Sequence, residues 1–373
     1  MADGELSGSI QLNTVASTNS KISIREVAAA AQVSLQTVSN VLNSPEKVKP
    51  ETQEKVLAAI KKLKYSPNLS ARRLRTNKSS TVAIRMDSSA AVENLQQGFL
   101  PGYIQDEFAY NIVKAAHNRQ IKVVTYAASS LEEEIEMVKS YIDSNEMDGL
   151  ILTSTAVGDP RIKFLYSNRI PYLTFGRPWG SEDMYSTKHP WVDVDGSSGT
   201  ELATKMFWEQ GSRKIGFIGW KPLPFDKAKP LSTGDDRFLG WKQSLSKLAN
   251  RASIKQLSVF GEESIASGRK CLLELFRRNP DLEAVICASD TLALGAFLEL
   301  QTLGHYTVRV CGFDNSPVSK EFGFSSIDQN LAQVAAKSFE ILMGEKGNQI
   351  RHVNFQKESA QAHVLLKPKL IIR

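Results

Sequence analysis

The sequence predicts a small all-α head followed by a larger α/β core. Between residues 22 and 65 there are three short segments whose apolar residues have the spacing of an α-helix. From Thr81 onward, strand-like apolar runs alternate with helical stretches, which is typical of parallel sheets built from βαβ units. About ten such strands are too many for one short sheet. We therefore expect the core to form two doubly wound parallel-sheet subdomains.

The head has the spacing of a helix-turn-helix. Ser23 can cap a first helix that ends at Ala31, and Ser34 can cap a second from Leu35 to Asn43 after a tight turn. A third helix follows from Glu51 to Leu63, with Pro50 at its start. Polar side chains occupy the outer side of the second helix, and Gln and Asn suit bidentate contacts with adenine. A helical pair that serves only core packing would show the same apolar pattern.

Charge is concentrated in the head. The whole chain carries a formal net charge of +6, but residues 21–80 hold 12 basic and 4 acidic side chains. A basic module joined to a nearly neutral body is typical of a protein that binds a polyanion. The charge distribution therefore favours the DNA-binding interpretation of the helical pair.

Two segments, IREVAAAAQVSLQTVSNVLN and YSPNLSARRLRTNKS, resemble the head and hinge of the LacI/GalR family of bacterial transcriptional regulators. The resemblance implies that the second helix enters the major groove and that a hinge helix pushes a leucine into the minor groove. By position it implies base contacts by Leu35, Gln36 and Asn40, backbone contacts by Ser23, Ser34, Thr37, Ser39, Asn43 and Asn68, and a wedge at Leu74 beside Arg72 and Arg73.

The rest of the chain resembles the periplasmic-binding-protein-like core of the same family, in which a ligand sits between the two subdomains. By position the resemblance implies effector contacts by Phe108, Arg177, Trp220, Arg237, Ser289, Asp290, Asp314 and Gln329. Arginine, carboxylate and amide groups together can hydrogen-bond sugar hydroxyls. Buried packing would explain the tryptophan equally well, and Asp290 could instead cap a helix.

The expected domain organisation follows from these segments. We expect a disordered arm at 1–20, a helix-turn-helix domain at 21–67, a hinge helix at 68–79 and an effector-binding and dimerisation core at 80–373. Within the core, the expected first subdomain comprises about 80–187 and 329–358, and the second comprises about 188–328 and 359–373.

Catalytic and metal-binding patterns are missing from the sequence. There is no GxSxG, HExxH or P-loop, the three cysteines show no CxxC spacing, and the histidines are scattered. We expect no enzymatic activity, no cofactor and no metal. The sequence does not decide whether Asp193, Asp195 and His189 lie at the cleft edge or have structural roles such as helix capping. No apolar run could span a bilayer, and the polar N-terminus lacks signal-peptide features, so a cytoplasmic protein is expected.

Together these observations predict a homodimeric repressor that binds a palindromic double-stranded operator and is controlled by a small effector. The C-terminal LLKPKLIIR has no heptad pattern, so a dimer is expected rather than a tetramer. A carbohydrate effector is favoured over a purine-type corepressor. A sugar-binding receptor without DNA function is the alternative from another class.

Overall fold

The computed structural model describes residues 22–65, 78–86, 103–155, 157–181, 183–220, 232–249, 256–344, 347 and 349–373. The chain divides into two compact units, Met1–Asn77 and Lys78–Arg373. The expected arm at 1–20 lies outside the described residues. So do four of the expected DNA contacts, namely Asn68, Arg72, Arg73 and Leu74.

Three helices form the described part of the head, as the periodicity predicts. They are α1 (Ile24–Ala31), α2 (Leu35–Asn43) and α3 (Pro50–Leu63), with a short 3₁₀ turn at Pro45–Lys47. Ser23 forms a capping box with Glu26 at the start of α1. The apolar faces meet in a small core that includes Val27, Val38, Val41 and Val56.

The first core subdomain is a six-stranded parallel sheet with helices on both faces. Its strands are β1 (Thr81–Arg85), β2 (Lys122–Tyr126), β3 (Gly149–Leu152), β4 (Tyr172–Phe175), β5 (Trp191–Val194) and β11 (His363–Leu366), in the order β11-β5-β4-β3-β1-β2. Its helices are α4 (Tyr103–His117), α5 (Leu131–Asp143), α6 (Pro160–Ser167), α12 (Leu331–Met343) and the short α13 (Phe355–Glu358).

The second core subdomain repeats this architecture. Its strands are β6 (Ile215–Trp220), β7 (Ser258–Gly261), β8 (Ala284–Cys287), β9 (Arg309–Phe313), β10 (Ser325–Asp328) and β12 (Lys369–Ile371), in the order β12-β10-β9-β8-β6-β7. Among its described strands, only β12 runs antiparallel to its neighbour. Its helices are α7 (Gly196–Glu209), α8 (Thr233–Leu248), α9 (Ile265–Arg278), α10 (Asp290–Leu303) and α11 (Pro317–Phe322). The prediction of two doubly wound subdomains is confirmed.

Two of the expected subdomain boundaries differ from the structure. Both β5 and β11 pair in the first sheet, so the chain crosses to the second subdomain after Val194 and again after Leu366. The sequence analysis places these crossings near 188 and 359, because the four-residue β5 is interrupted by Asp193 and does not stand out as a strand. The strand β10 belongs to the second sheet and α12 packs against the first, so the chain returns to the first subdomain between Asp328 and Leu331.

Gly240 allows α7 and α8 to pack closely beside the candidate ligand cleft. A Cβ at this position would overlap the backbone carbonyl of Ser197 and the hydroxyl of Thr200. Overpacking of this kind typically costs about 1–3 kcal/mol. We expect Gly240→Ala to lower the free energy of unfolding by about that amount in urea titrations. Gln243→Ala, on the exposed side of the same helix, should have little effect.

Candidate ligand cleft and nucleic-acid interface

The exposed face of α2 carries a hydrogen-bonded pair of polar side chains. Gln36 Nε2 donates to Asn40 Oδ1 at 2.9 Å, one helical turn apart. Leu35, at the start of the helix, adds an apolar side chain that is 44% exposed. This face combines amide groups with one apolar contact, as base-edge recognition requires.

The N-termini of α1 and α2 are both capped by serine. Ser34 Oγ accepts from the backbone N–H of Thr37 at 3.0 Å and lies 2.9 Å from Thr37 Oγ1. At α1, the backbone N–H of Ser23 donates to Glu26 and thereby lowers the pKa of that carboxyl group. Helix N-termini favour anions, which is compatible with the phosphate contacts expected of Ser23 and Ser34. Ser39 lies on α2, whereas the side chain of Asn43 is outside the described residues.

In the core, Arg177 joins the two subdomains. It follows β4 of the first sheet, and its Nε donates to Asp193 Oδ2 at 2.7 Å. Its Nη2 donates to Asp236 Oδ2 at 3.1 Å and to the carbonyl of Val194 at 2.9 Å. Asp236 lies on α8 of the second subdomain. Burial raises the pKa of Asp236 to about 6, and the positive charge of Arg177 opposes that shift.

Arg237 is the centre of a buried polar cluster at the carboxyl edge of the second sheet. Its side chain is enclosed, with Cζ 3.6 Å from the ring centroid of Phe313 and 5.3 Å from that of Trp220. One terminal nitrogen donates to the carbonyl of Ala288 and lies 3.8 Å from Asp314 Oδ1. Among the residues that the structure describes, none is a hydrogen-bond partner of the Arg237 Nε. A buried donor without a partner is costly unless a ligand or water supplies the acceptor.

Asp314 and Gln329 complete one side of this cluster. Gln329 Nε2 donates to Asp314 Oδ1 at 2.7 Å, and Asp314 adopts a φ of 116°, an unusual backbone conformation for a residue other than glycine. Burial raises the pKa of Asp314 well above its usual range, while the guanidinium of Arg237 opposes the rise.

Glu263 is a member of the cluster that the sequence analysis missed. Its Oε2 accepts from Ser289 Oγ at 2.8 Å and from Trp220 Nε1. It therefore fixes the orientation of the Trp220 ring. The sequence could have indicated Glu263 by its position two residues after β7, at the same carboxyl edge of the sheet as the other candidate residues.

Two of the expected effector residues are engaged elsewhere. Asp290 accepts hydrogen bonds from the backbone and hydroxyl of Ser316, each at 2.7 Å, and from Ser326 Oγ at 2.6 Å. The alternative interpretation, in which Asp290 caps α10, is wrong, because Ser289 is the N-cap of this helix. Phe108 is buried in the apolar core of the first subdomain, with its ring centroid 4.5 Å from that of Phe175.

The residues whose roles were left open now have defined contacts. Asp195 caps α7 by accepting from the backbone N–H of Ser198 at 3.0 Å, whereas Asp193 holds Arg177. His189 lines a pocket of the first subdomain. Within the ranges that the structure describes, no cluster of three or more His, Cys, Asp or Glu side chains could hold a metal ion. None of the described helices is both long and apolar enough to cross a bilayer.

Comparison with known proteins identifies the family. Residues 23–68 match the model for bacterial regulatory proteins of the lacI family, and residues 204–373 match that for a periplasmic binding protein-like domain. The transcriptional regulator CelR of Thermobifida fusca is 33% identical over 299 residues, which are 79% of this chain and 82% of CelR. The chain belongs to the LacI family. It is a DNA-binding transcriptional regulator, and the resemblance found in the sequence is confirmed.

Other members of the family also align with most of this chain. MalR of Staphylococcus xylosus is 27% identical over 331 residues, covering 87% of this chain and 88% of MalR. A solved structure of a CelR–cellobiose complex superposes with a TM-score of 0.61 at 26% identity, covering 94% of this chain and 99% of that one. The lac repressor dimer bound to operator and the anti-inducer ONPF gives a TM-score of 0.66 at 22% identity, covering 94% and 98%, which supports the fold. These relatives are regulators and not enzymes.

Proposed function

We propose that this LacI-family regulator is a repressor that binds a palindromic operator as a homodimer and responds to a sugar bound at the Arg237 cluster. The observation that carries the proposal is the buried guanidinium of Arg237. Its Nε has no partner among the described residues, and it lies 3.8 Å from Asp314 Oδ1 through a terminal nitrogen. An arginine placed among carboxylate, amide and hydroxyl groups can form several hydrogen bonds to vicinal hydroxyls. Arg177 extends this polar surface to the first subdomain.

The class of effector is inferred from chemistry and from relatives. A CelR relative was solved with cellobiose, and another relative is the regulator MalR. The indole of Trp220, whose Nε1 donates to Glu263 and whose ring centroid lies 5.3 Å from the Arg237 guanidinium carbon, is the ring that would pack against the apolar side of a pyranose. We therefore favour a neutral disaccharide of glucose over a purine.

Dimerisation is supported by exposed apolar surface on the first subdomain. Tyr110 and Val113 on α4 are 65% and 48% exposed, and Val124 projects from the edge strand β2. Exposed apolar residues next to an open sheet edge favour association with another chain. A dimer presents two α2 helices to a palindrome, and Leu74 is proposed to enter the minor groove at its centre. Because its target is chromosomal DNA, we place the protein in the cytoplasm.

The test is selection of a duplex from random sequence, followed by titration of that duplex and a random one at several salt concentrations. We expect tight binding to the selected palindrome and a steep loss of affinity for both duplexes as salt rises. Cellobiose or maltose should then change the operator affinity, a fall identifying an inducer and a rise a corepressor. Binding that shows neither sequence preference nor salt dependence would favour a sugar receptor instead.

A further inference from the structure

The last three residues before β1 are each tied to the first subdomain. They lie at the end of the segment in which the hinge is expected. One carboxylate accepts from two successive backbone N–H groups, that of Ser79 at Asp148 Oδ1 (2.8 Å) and that of Ser80 at Asp148 Oδ2 (2.7 Å). Lys78 Nζ donates to the carbonyl of Ile350 at 3.1 Å. We call these five residues the entry clamp.

The sheet itself does not require these contacts. Strand β1 pairs in parallel with β2 from Thr81 and with β3 from Val82, and the clamped residues precede both ladders. Ser79 is nevertheless only 4% exposed, and the carbonyl of Ser80 accepts from the backbone N–H of Lys122 at 2.8 Å. The segment that enters the core is therefore held more firmly than the pairing of β1 explains.

Ser80 adopts a backbone conformation that needs support. Its φ is 53°, in the left-handed region that residues other than glycine, asparagine and aspartate rarely occupy. Hydrogen bonds from N–H groups to a carboxylate are stronger than those to neutral acceptors. Because the N–H groups on both sides of the Ser79–Ser80 peptide unit's neighbours converge on Asp148, this carboxylate determines the direction in which the chain leaves β1.

The carboxylate is itself held in place. The backbone N–H of Asp148 donates to the carbonyl of Thr81 at 2.8 Å, and β3 begins at the next residue, Gly149. A Cβ at Gly149 would lie 2.8 Å from Cγ2 of Ile350. The glycine thus allows Ile350, whose carbonyl accepts from Lys78, to approach β3 closely. Both acceptors of the clamp are fixed to the first subdomain.

We propose that Asp148 is a positioning residue for operator binding, which acts through the backbone of Ser79 and Ser80 by fixing where the hinge leaves the core. The inference rests on the proposed function, in which the hinge enters the minor groove of the operator. Three unrestrained residues can reach about 10 Å, and ordering them on DNA would cost conformational entropy. The clamp orders them before DNA binds, which is preorganisation.

The first test is Asp148→Asn in the full chain. An amide offers only one oxygen, so one of the two N–H groups loses its acceptor. We expect affinity for the selected operator to fall at least about tenfold, since two protomers each lose an ordered segment. Affinity for a random duplex and for the sugar should stay unchanged. Asp143→Asn, at the exposed end of α5, removes the same charge outside the clamp and should have no effect.

The second test changes the backbone preference and leaves the carboxylate intact. Valine disfavours a positive φ, whereas asparagine tolerates it, so Ser80→Val should reproduce the loss of operator affinity and Ser80→Asn should not. Amide hydrogen exchange of the full chain without DNA gives an independent readout. We expect exchange at Ser79 and Ser80 to be faster in Asp148→Asn than in the wild type, with exchange in the head unchanged.

The outcomes separate the clamp from the proposed function. Unchanged exchange at Ser79 and Ser80 in Asp148→Asn overturns the proposal, as does faster exchange with an unchanged operator affinity. Equal losses for the operator and the random duplex, or equal effects of Ser80→Val and Ser80→Asn, also contradict it. A wild-type chain that prefers no duplex contradicts the proposed function and the operator role of Asp148 together. Failure of the clamp alone leaves the wild-type preference intact.

Discussion

Arg237→Met is expected to weaken effector binding at least about thirtyfold, which corresponds to about 2 kcal/mol. The substitution keeps much of the side-chain volume between Phe313 and Trp220 but removes every donor of the guanidinium. Hydrogen bonds to charged groups are worth about 1.5–3 kcal/mol each, and the ligand hydroxyls would lose more than one of them. Calorimetric titration with the sugar that changes operator affinity measures the loss.

The same variant should remain folded, because Asp314 can respond to the missing charge. Burial already raises the pKa of Asp314, and removal of Arg237 raises it further, so the carboxyl group becomes protonated instead of remaining as an unpaired buried charge. Adding Asp314→Asn should restore any stability that is lost. Arg213→Met is the matched control, since it removes a guanidinium that stacks on Trp208 at the surface. An unchanged effector affinity in Arg237→Met would remove Arg237 from the site.

The alternation of strands and helices was predictable because the buried strands of both subdomains form continuous apolar runs. Short elements were harder to identify. The four residues of β5 include Asp193, and β11 begins with His363, so neither stands out as an apolar run. Their parallel pairing in the first sheet depends on residues about 170 positions apart in the chain. Periodicity within a short window carries no information about such a pairing, and the subdomain boundaries were misplaced as a result.

Residues of the candidate site were predictable where a polar side chain suited to ligand binding follows the end of a strand. Arg237, Ser289, Asp314 and Gln329 come together because each lies at or near the carboxyl edge of the second sheet. Side-chain direction was not predictable. Asp290 follows Ser289 directly, yet its carboxylate bonds to Ser316 and Ser326 while Ser289 bonds to Glu263.

Gln36→Ala or Asn40→Ala should each weaken binding to the selected operator by at least about 2 kcal/mol per dimer, since each of the two heads loses contacts worth about 1–3 kcal/mol. Both residues lie on the outer face of α2 and carry no charge, so the slope of log affinity against log salt should stay unchanged. Affinity for a random duplex should also stay unchanged. Titrations of both duplexes at several salt concentrations measure these quantities.

The hydrogen bond between Gln36 Nε2 and Asn40 Oδ1 makes a further, sharper expectation possible. Each amide holds the other in position, so either single substitution also frees its neighbour, and the double variant should lose less affinity than the sum of the two single losses. If the two side chains contacted the bases independently, the affinity losses of the single variants would add up in the double variant. Glu54→Ala on α3, outside this pair, serves as the control and should leave operator specificity intact. If both single variants weakened the operator and the random duplex equally, the α2 face would contact only the DNA backbone, and base recognition by this pair would be wrong.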